Sequence, residues 1–302
     1  MDSFAAVFFV YLFILIGFVT KKFFKERVDE KTLVLLSVYI FQPFLTFWGL
    51  LKRPIDLDLA AAPFVFFGIG LLIIVWNYFL ARTLFDEAKD RSIFIVSSVI
   101  GNTGNLGVPL GIALFGEGSL PYTTIVNLAN VFMVYSFGAY FYSRGNFDVK
   151  KSILNTVKLP ILWFASIAIM LNLYGFRPGY YFDMFLQMGA YSAIVLQLMI
   201  FGFYLAKISV RFLDVKLIAA VTTTKFLILP IVAYILLQFV PLETLTKKII
   251  FMEIMMPLAV ANVNLAALYQ CKELVVTALI FITTLLFIPL LPLYIHIIER
   301  IQ

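Results

Sequence analysis

The sequence predicts an all-α polytopic membrane protein in which ten transmembrane helices form two inverted five-helix repeats, with helices four and nine broken and crossing. Three observations predict it. The 302 residues are 63% hydrophobic and 13% charged, with a mean hydropathy of +1.01, so there are too few charges to shield the apolar surface in water. The apolar residues fall into ten runs, each near the ~20-residue length that a helix needs to cross a bilayer. Two of those runs, the fourth and the ninth, are interrupted by polar stretches carrying glycine, asparagine and proline.

In chain order the runs cover roughly 3–20, 31–51, 59–81, 92–115, 121–142, 159–174, 181–205, 215–238, 249–269 and 273–297, each bounded by charged residues or by Gly and Pro. The first run is read as a retained helix and not a cleaved leader, because Asp2 precedes it and its lysines follow it. The odd-numbered loops carry sixteen lysines and arginines, among them Lys21, Lys22, Arg82, Lys150, Lys151 and Lys272. The opposite side has six: Lys52, Arg53, Arg177, Lys247, Lys248 and Arg300. The positive-inside rule then places the odd loops in the cytoplasm and both termini outside it, in a multi-pass protein of the cell membrane.

Five helices are an odd number, so a duplicated unit of five enters the membrane the other way the second time. The repeats are set at 1–150 and 151–302, joined by the hydrophilic YSRGNFDVKKSILNTVK of residues 142–158. The anchors are GNTGNLGVPL, residues 101–110, and MMPLAVANVNL, residues 255–265, with Pro109 and Pro257 lying 148 positions apart.

Proline removes an amide donor and obstructs the preceding turn, so each stretch is expected to unwind and expose backbone that lipid cannot satisfy. Two inverted broken helices would bring two amide ends together near mid-membrane, a receptor for an anion. Asn102, Thr103 and Asn105 line one break, and Asn262 and Asn264 follow the other. Carboxamides can donate to a carboxylate without carrying charge into the membrane. Asn77, Asn127 and Asn130 are read instead as hydrogen-bonding glue between helices. Tyr39, Phe41 and Phe44, around Pro43 in the second run, are expected to pack against helices.

Two ionisable residues lie inside runs. Lys225 is nine residues past Lys216, roughly 14 Å into a ~30 Å core. Glu253 is five residues past Lys248, about 8 Å from the other face. One reading makes Lys225 a source of positive potential for an anion and Glu253 its protonatable partner. The other has Lys225 snorkel to the surface or pair with Glu253 to hold helices together.

The spacing Asn102, Thr103, Gly107, Val108, Pro109, Leu110, followed by ALFGEGS, resembles the fourth helix of the auxin efflux carrier family. The run from MEIMMP through NLAALYQCKELVVTALIFITTLLFIPLLPL is similar to that family's ninth and tenth helices. The resemblance implies a fold related to sodium/proton antiporters and bile acid symporters. It also implies a scaffold domain and a transport domain, each drawn from both repeats, elevator-like alternating access, and a homodimer. It places Asn102, Pro109 and Pro257 at the crossover where a substrate carboxylate binds.

The expected function is therefore secondary or facilitative transport of a small organic anion, a mono- or dicarboxylate such as malate or an auxin-like acid. The partners are that anion and the bilayer, with proton or sodium coupling as an open element. The alternative of the same fold is a cation antiporter or a sodium-coupled anion symporter. An antiporter normally needs aspartates at the crossing, and here the aspartates lie in loops or at run ends. Enzyme chemistry is not expected: the single histidine, His296, lies near the carboxyl end, and Cys271 has no histidine beside it. No cofactor, metal or nucleic acid is expected. The net charge of +6 reflects the loop bias.

Overall fold

A computed structural model of the chain describes residues 2–143, 157–206 and 214–302. Most of the connection expected to join the repeats, 144–156 with Arg144, Lys150 and Lys151, lies outside the described residues, as do 207–213 with Lys207 and Arg211.

The regular structure among the described residues is helical. The helices are α1 (Asp2–Phe24), α2 (Thr32–Leu51), α3 (Leu57–Leu84), α4 (Ala88–Ser97), α5 (Thr103–Phe115) and α6 (Glu117–Tyr142). After them come α7 (Pro160–Leu173), α8 (Tyr180–Ala206), α9 (Val215–Phe239), α10 (Thr244–Met255), α11 (Ala261–Leu268) and α12 (Glu273–Glu299). Six of these, α2, α3, α6, α8, α9 and α12, are long and apolar enough to cross a membrane. The chain is thus an all-helical, polytopic membrane protein.

The chain divides into two compact units, and each draws on both halves of the sequence. The first is formed by 1–60, 104–125 and 157–207, the second by 61–103, 126–156 and 208–302.

In the first unit α1 and α8 approach backbone to backbone. A Cβ on Gly17 would stand 2.2 Å from the Met199 carbonyl oxygen, and one on Gly202 would stand 2.1 Å from that of Ile14. Only glycine permits this contact, and close approach of small residues is how helices attract one another where water supplies no hydrophobic drive. Phe44 packs over Gly189, as expected of an aromatic that fills space between helices. Buried Asn172 on α7 closes the carboxyl end of α2: its Nδ2 donates to the Leu50 and Arg53 carbonyls at 2.6 Å, and its Oδ1 accepts from Ile55 N–H at 2.9 Å. Asp56 caps α3 by accepting from Leu59 N–H at 2.8 Å. That hydrogen bond holds its carboxyl below the ordinary 3.8; burial opposes this, and the nearby Arg53 charge adds to the lowering.

Three prolines follow a shared rule. Widened π turns at Ser37–Phe41, Thr103–Gly107 and Thr224–Ile228 each end two residues before a proline, Pro43, Pro109 and Pro230. A proline ring collides with the carbonyl four residues back, and a widened turn moves that carbonyl aside so that the helix continues. At Pro230 the carbonyl deprived of its donor is that of Phe226, and the Tyr294 hydroxyl of α12 supplies the replacement at 2.9 Å.

The same rule corrects the expected position of the first break. Helix α4 ends at Ser97, residues 98–102 are unwound, and helix resumes at Thr103. Pro109 therefore lies inside α5, past the break, where the π turn accommodates it. The second break is where the sequence placed it: α10 ends at Met255, Pro257 sits in the unwound 256–260, and α11 begins at Ala261.

Candidate functional site

The two unwound segments meet within the second unit as a short antiparallel pair. Gly101 and Leu258 form a backbone bridge. Asn102 N–H donates to the Pro257 carbonyl at 2.8 Å, and Ala259 N–H donates to the Ile100 carbonyl at 3.1 Å. Buried unwound backbone needs partners, and here each break supplies the other's.

Side chains complete the arrangement. Asn130 Nδ2 on α6 donates to the Gly101 carbonyl at 2.8 Å and to Thr103 Oγ1 at 2.9 Å, and Thr103 Oγ1 donates to Asn127 Oδ1 at 2.8 Å. Asn262 Nδ2 donates to the Ile100 carbonyl at 3.1 Å and to that of Ala259 at 3.0 Å, while its Oδ1 accepts from the Tyr142 hydroxyl at 3.2 Å. Thr283 of α12 accepts from Leu258 N–H at 3.3 Å. Asn102, Thr103, Asn130 and Asn262 are all buried.

Against this braced frame stand polar atoms that are buried and have no hydrogen-bond partner among the described residues: Asn102 Nδ2, Asn130 Oδ1, Lys225 Nζ and both carboxylate oxygens of Glu253. Lys225 and Glu253 are each 0% exposed. Lys225 Nζ would stand 3.1 Å from a Cβ on Gly101 and so lies directly over the crossing backbone, which explains a glycine there. Snorkelling of Lys225 to the surface is excluded by its burial. Two of these atoms, Lys225 Nζ and Asn102 Nδ2, are buried donors without a partner, one cationic and one neutral. The arrangement offers no nucleophile with a base, and no His/Cys/Asp/Glu group able to hold a metal occurs among the described residues.

Of the residues singled out from sequence, Asn102, Thr103, Pro257, Asn262, Lys225 and Glu253 fall in the second unit. Asn262 has its amide fully engaged in bracing backbone. Asn264 is exposed, because two residues along α11 amount to about 200° of rotation away from Asn262. Asn105, half-buried, and Pro109, buried, belong to the first unit. Asn127 and Asn130, read from sequence as ordinary glue, hold the break itself. The signal was their spacing: two amides three positions apart share one face of a helix.

The profile of a family described as membrane transport protein matches residues 2–295. A protein of Methanocaldococcus jannaschii described as an uncharacterized transporter is 29% identical over 290 residues, covering 92% of this chain and 93% of that one. Residues 2–295 include both breaks and the whole hydrogen-bonded crossing.

Proposed function

The chain belongs to the membrane transport protein family, the auxin efflux carrier family that its fourth and ninth apolar runs resemble, and from that premise we propose that it carries small organic anions. The substrate is a mono- or dicarboxylate, and the mechanism is alternating access of the elevator type. The observation that carries the reading is that two donors buried in the second unit, Lys225 Nζ over Gly101 and Asn102 Nδ2 on the residue next in sequence, have no partner, although the two unwound backbones satisfy one another. Buried donors left unmade are costly, and a carboxylate accepts from two donors at once.

In this reading the ten apolar runs are ten crossings in two inverted repeats. The second unit is the transport domain, and the first is the scaffold. Asn262, Thr103, Asn127 and Asn130 keep the crossing rigid, so that the two donors are held in place before substrate arrives. Pro257 keeps the ninth helix open. Both termini face outward and the carrier is a homodimer in the cell membrane.

The test is thermal stability of the purified protein with malate, malonate, succinate, citrate, lactate and indole-3-acetate, each with and without sodium. A bound anion raises Tm by mass action. Asn102→Ala should leave the unliganded Tm within about 2 °C, since its side-chain nitrogen holds nothing in the fold, and should abolish the anion-induced rise. A rise with sodium alone, and with none of the anions, would instead favour a cation antiporter.

A further inference from the structure

Lys225 on α9 and Glu253 on α10 are opposite formal charges, wholly buried, each within the other's electrostatic reach. Neither makes a hydrogen bond among the described residues. An ion pair that serves stability offsets its desolvation only through good geometry and further hydrogen bonds. This pair has neither, so packing does not account for it.

The other titratable groups on the surrounding helices are hydrogen-bonded, packed on rings or set near helix ends. Tyr142 donates to Asn262, Tyr294 to the Phe226 carbonyl, and Lys272 holds Asp90. Tyr234 lies edge-on to Phe251, Lys216 stands over the Phe85 ring, and Lys247 donates to the Gln302 carbonyl. Lys248 and Glu243 lie near the start of α10, His296 and Glu299 in the last turns of α12. The proton count at the crossing is thus left to Lys225 and Glu253.

We propose that the crossing keeps its total charge at zero, so that each substrate carboxylate enters together with one proton, held by the Lys225–Glu253 pair. Empty, the pair is neutral as ammonium and carboxylate, or equally as amine and carboxylic acid. When a carboxylate joins Lys225 and Asn102, one proton from solution forms an O–H bond on Glu253 or an N–H bond on Lys225, and the loaded site is ammonium, substrate carboxylate and carboxylic acid. No covalent bond to the substrate is made or broken, and release on the other side returns the proton with the anion. An uncompensated charge inside a membrane is costly, which favours the neutral loaded state over a bare anion. The inference rests on the carboxylate-carrier reading and adds the coupling ion and its ratio.

The experiment is calorimetric titration of the protein with lactate, malonate and indole-3-acetate in buffers of different ionisation enthalpy, with uptake into proteoliposomes alongside. One proton should bind per carboxylate taken at the site, and the apparent Kd should rise about tenfold per pH unit on the alkaline side. Lactate uptake should be driven by an inward pH gradient and be indifferent to membrane potential. The double variant Lys225→Met, Glu253→Gln removes both charges together and should keep its unliganded Tm, while any residual anion binding takes up no proton. Binding of an anion without a proton, uptake driven by membrane potential, or a full proton per anion in the double variant would each overturn the inference and leave the carboxylate reading intact. If none of the anions binds, the carrier reading falls and this inference with it.

Discussion

Gly101, Asn102 and Asn130 show how one short stretch divides structural work from ligand chemistry. Asn102 uses its main-chain N–H in the fold and keeps its side-chain nitrogen unpartnered, whereas Asn130 uses its side-chain nitrogen twice, on the Gly101 carbonyl and on Thr103. Replacing Asn130 by leucine strands the buried Gly101 carbonyl, at about 1–3 kcal/mol, while the Thr103 hydroxyl keeps its bond to Asn127 Oδ1. The expected result is a Tm well below that of the parent, in contrast to Asn102→Ala, read by a thermal melt in detergent. Sequence identified the asparagines at the breaks because polar residues inside apolar runs stand out. It could not separate bracing from free amides, since that depends on which atoms reach a partner. Asn264 illustrates the point: it shares its segment with Asn262, yet faces away from it.

At the level of helices, both interruptions were legible, but only one at its true place. Pro257 lies in unwound backbone and Pro109 does not, because a π turn ahead of Pro109 absorbs its ring and lets α5 run on. A proline alone therefore does not say where a helix opens; in the fourth run the opening precedes it, at 98–102. The π turn of α9 leads to a sharper expectation. Tyr294 replaces the donor that Pro230 withholds from the Phe226 carbonyl. Tyr294→Phe should cost about 1–3 kcal/mol in the parent. It should cost less in Pro230→Ala, where a backbone N–H is restored to the carbonyl. Melting temperatures of the four proteins form a double-mutant cycle, and additivity of the two changes would refute the account.

For the molecule as a whole, composition and hydropathy carried the class, because no water-soluble packing accommodates so much apolar surface. The division into units was beyond composition, since each is assembled from segments far apart in sequence, such as 61–103 with 208–302. Orientation rests on the basic residues of the loops and has its own check. In a Cys271→Ser background, a cysteine at Gln302 should react with a membrane-impermeant maleimide on intact cells, and one at Asp86 only after permeabilisation. The opposite pattern would invert the carrier. Finally, the bonds joining residue 100 to 259 and 102 to 257 run from main chain to main chain. Such links survive any side chain at those four positions except a proline at 102 or 259, which would remove the donor. The crossing can therefore persist when those four side chains change, so that the chemistry beside the frame can be altered without rebuilding it.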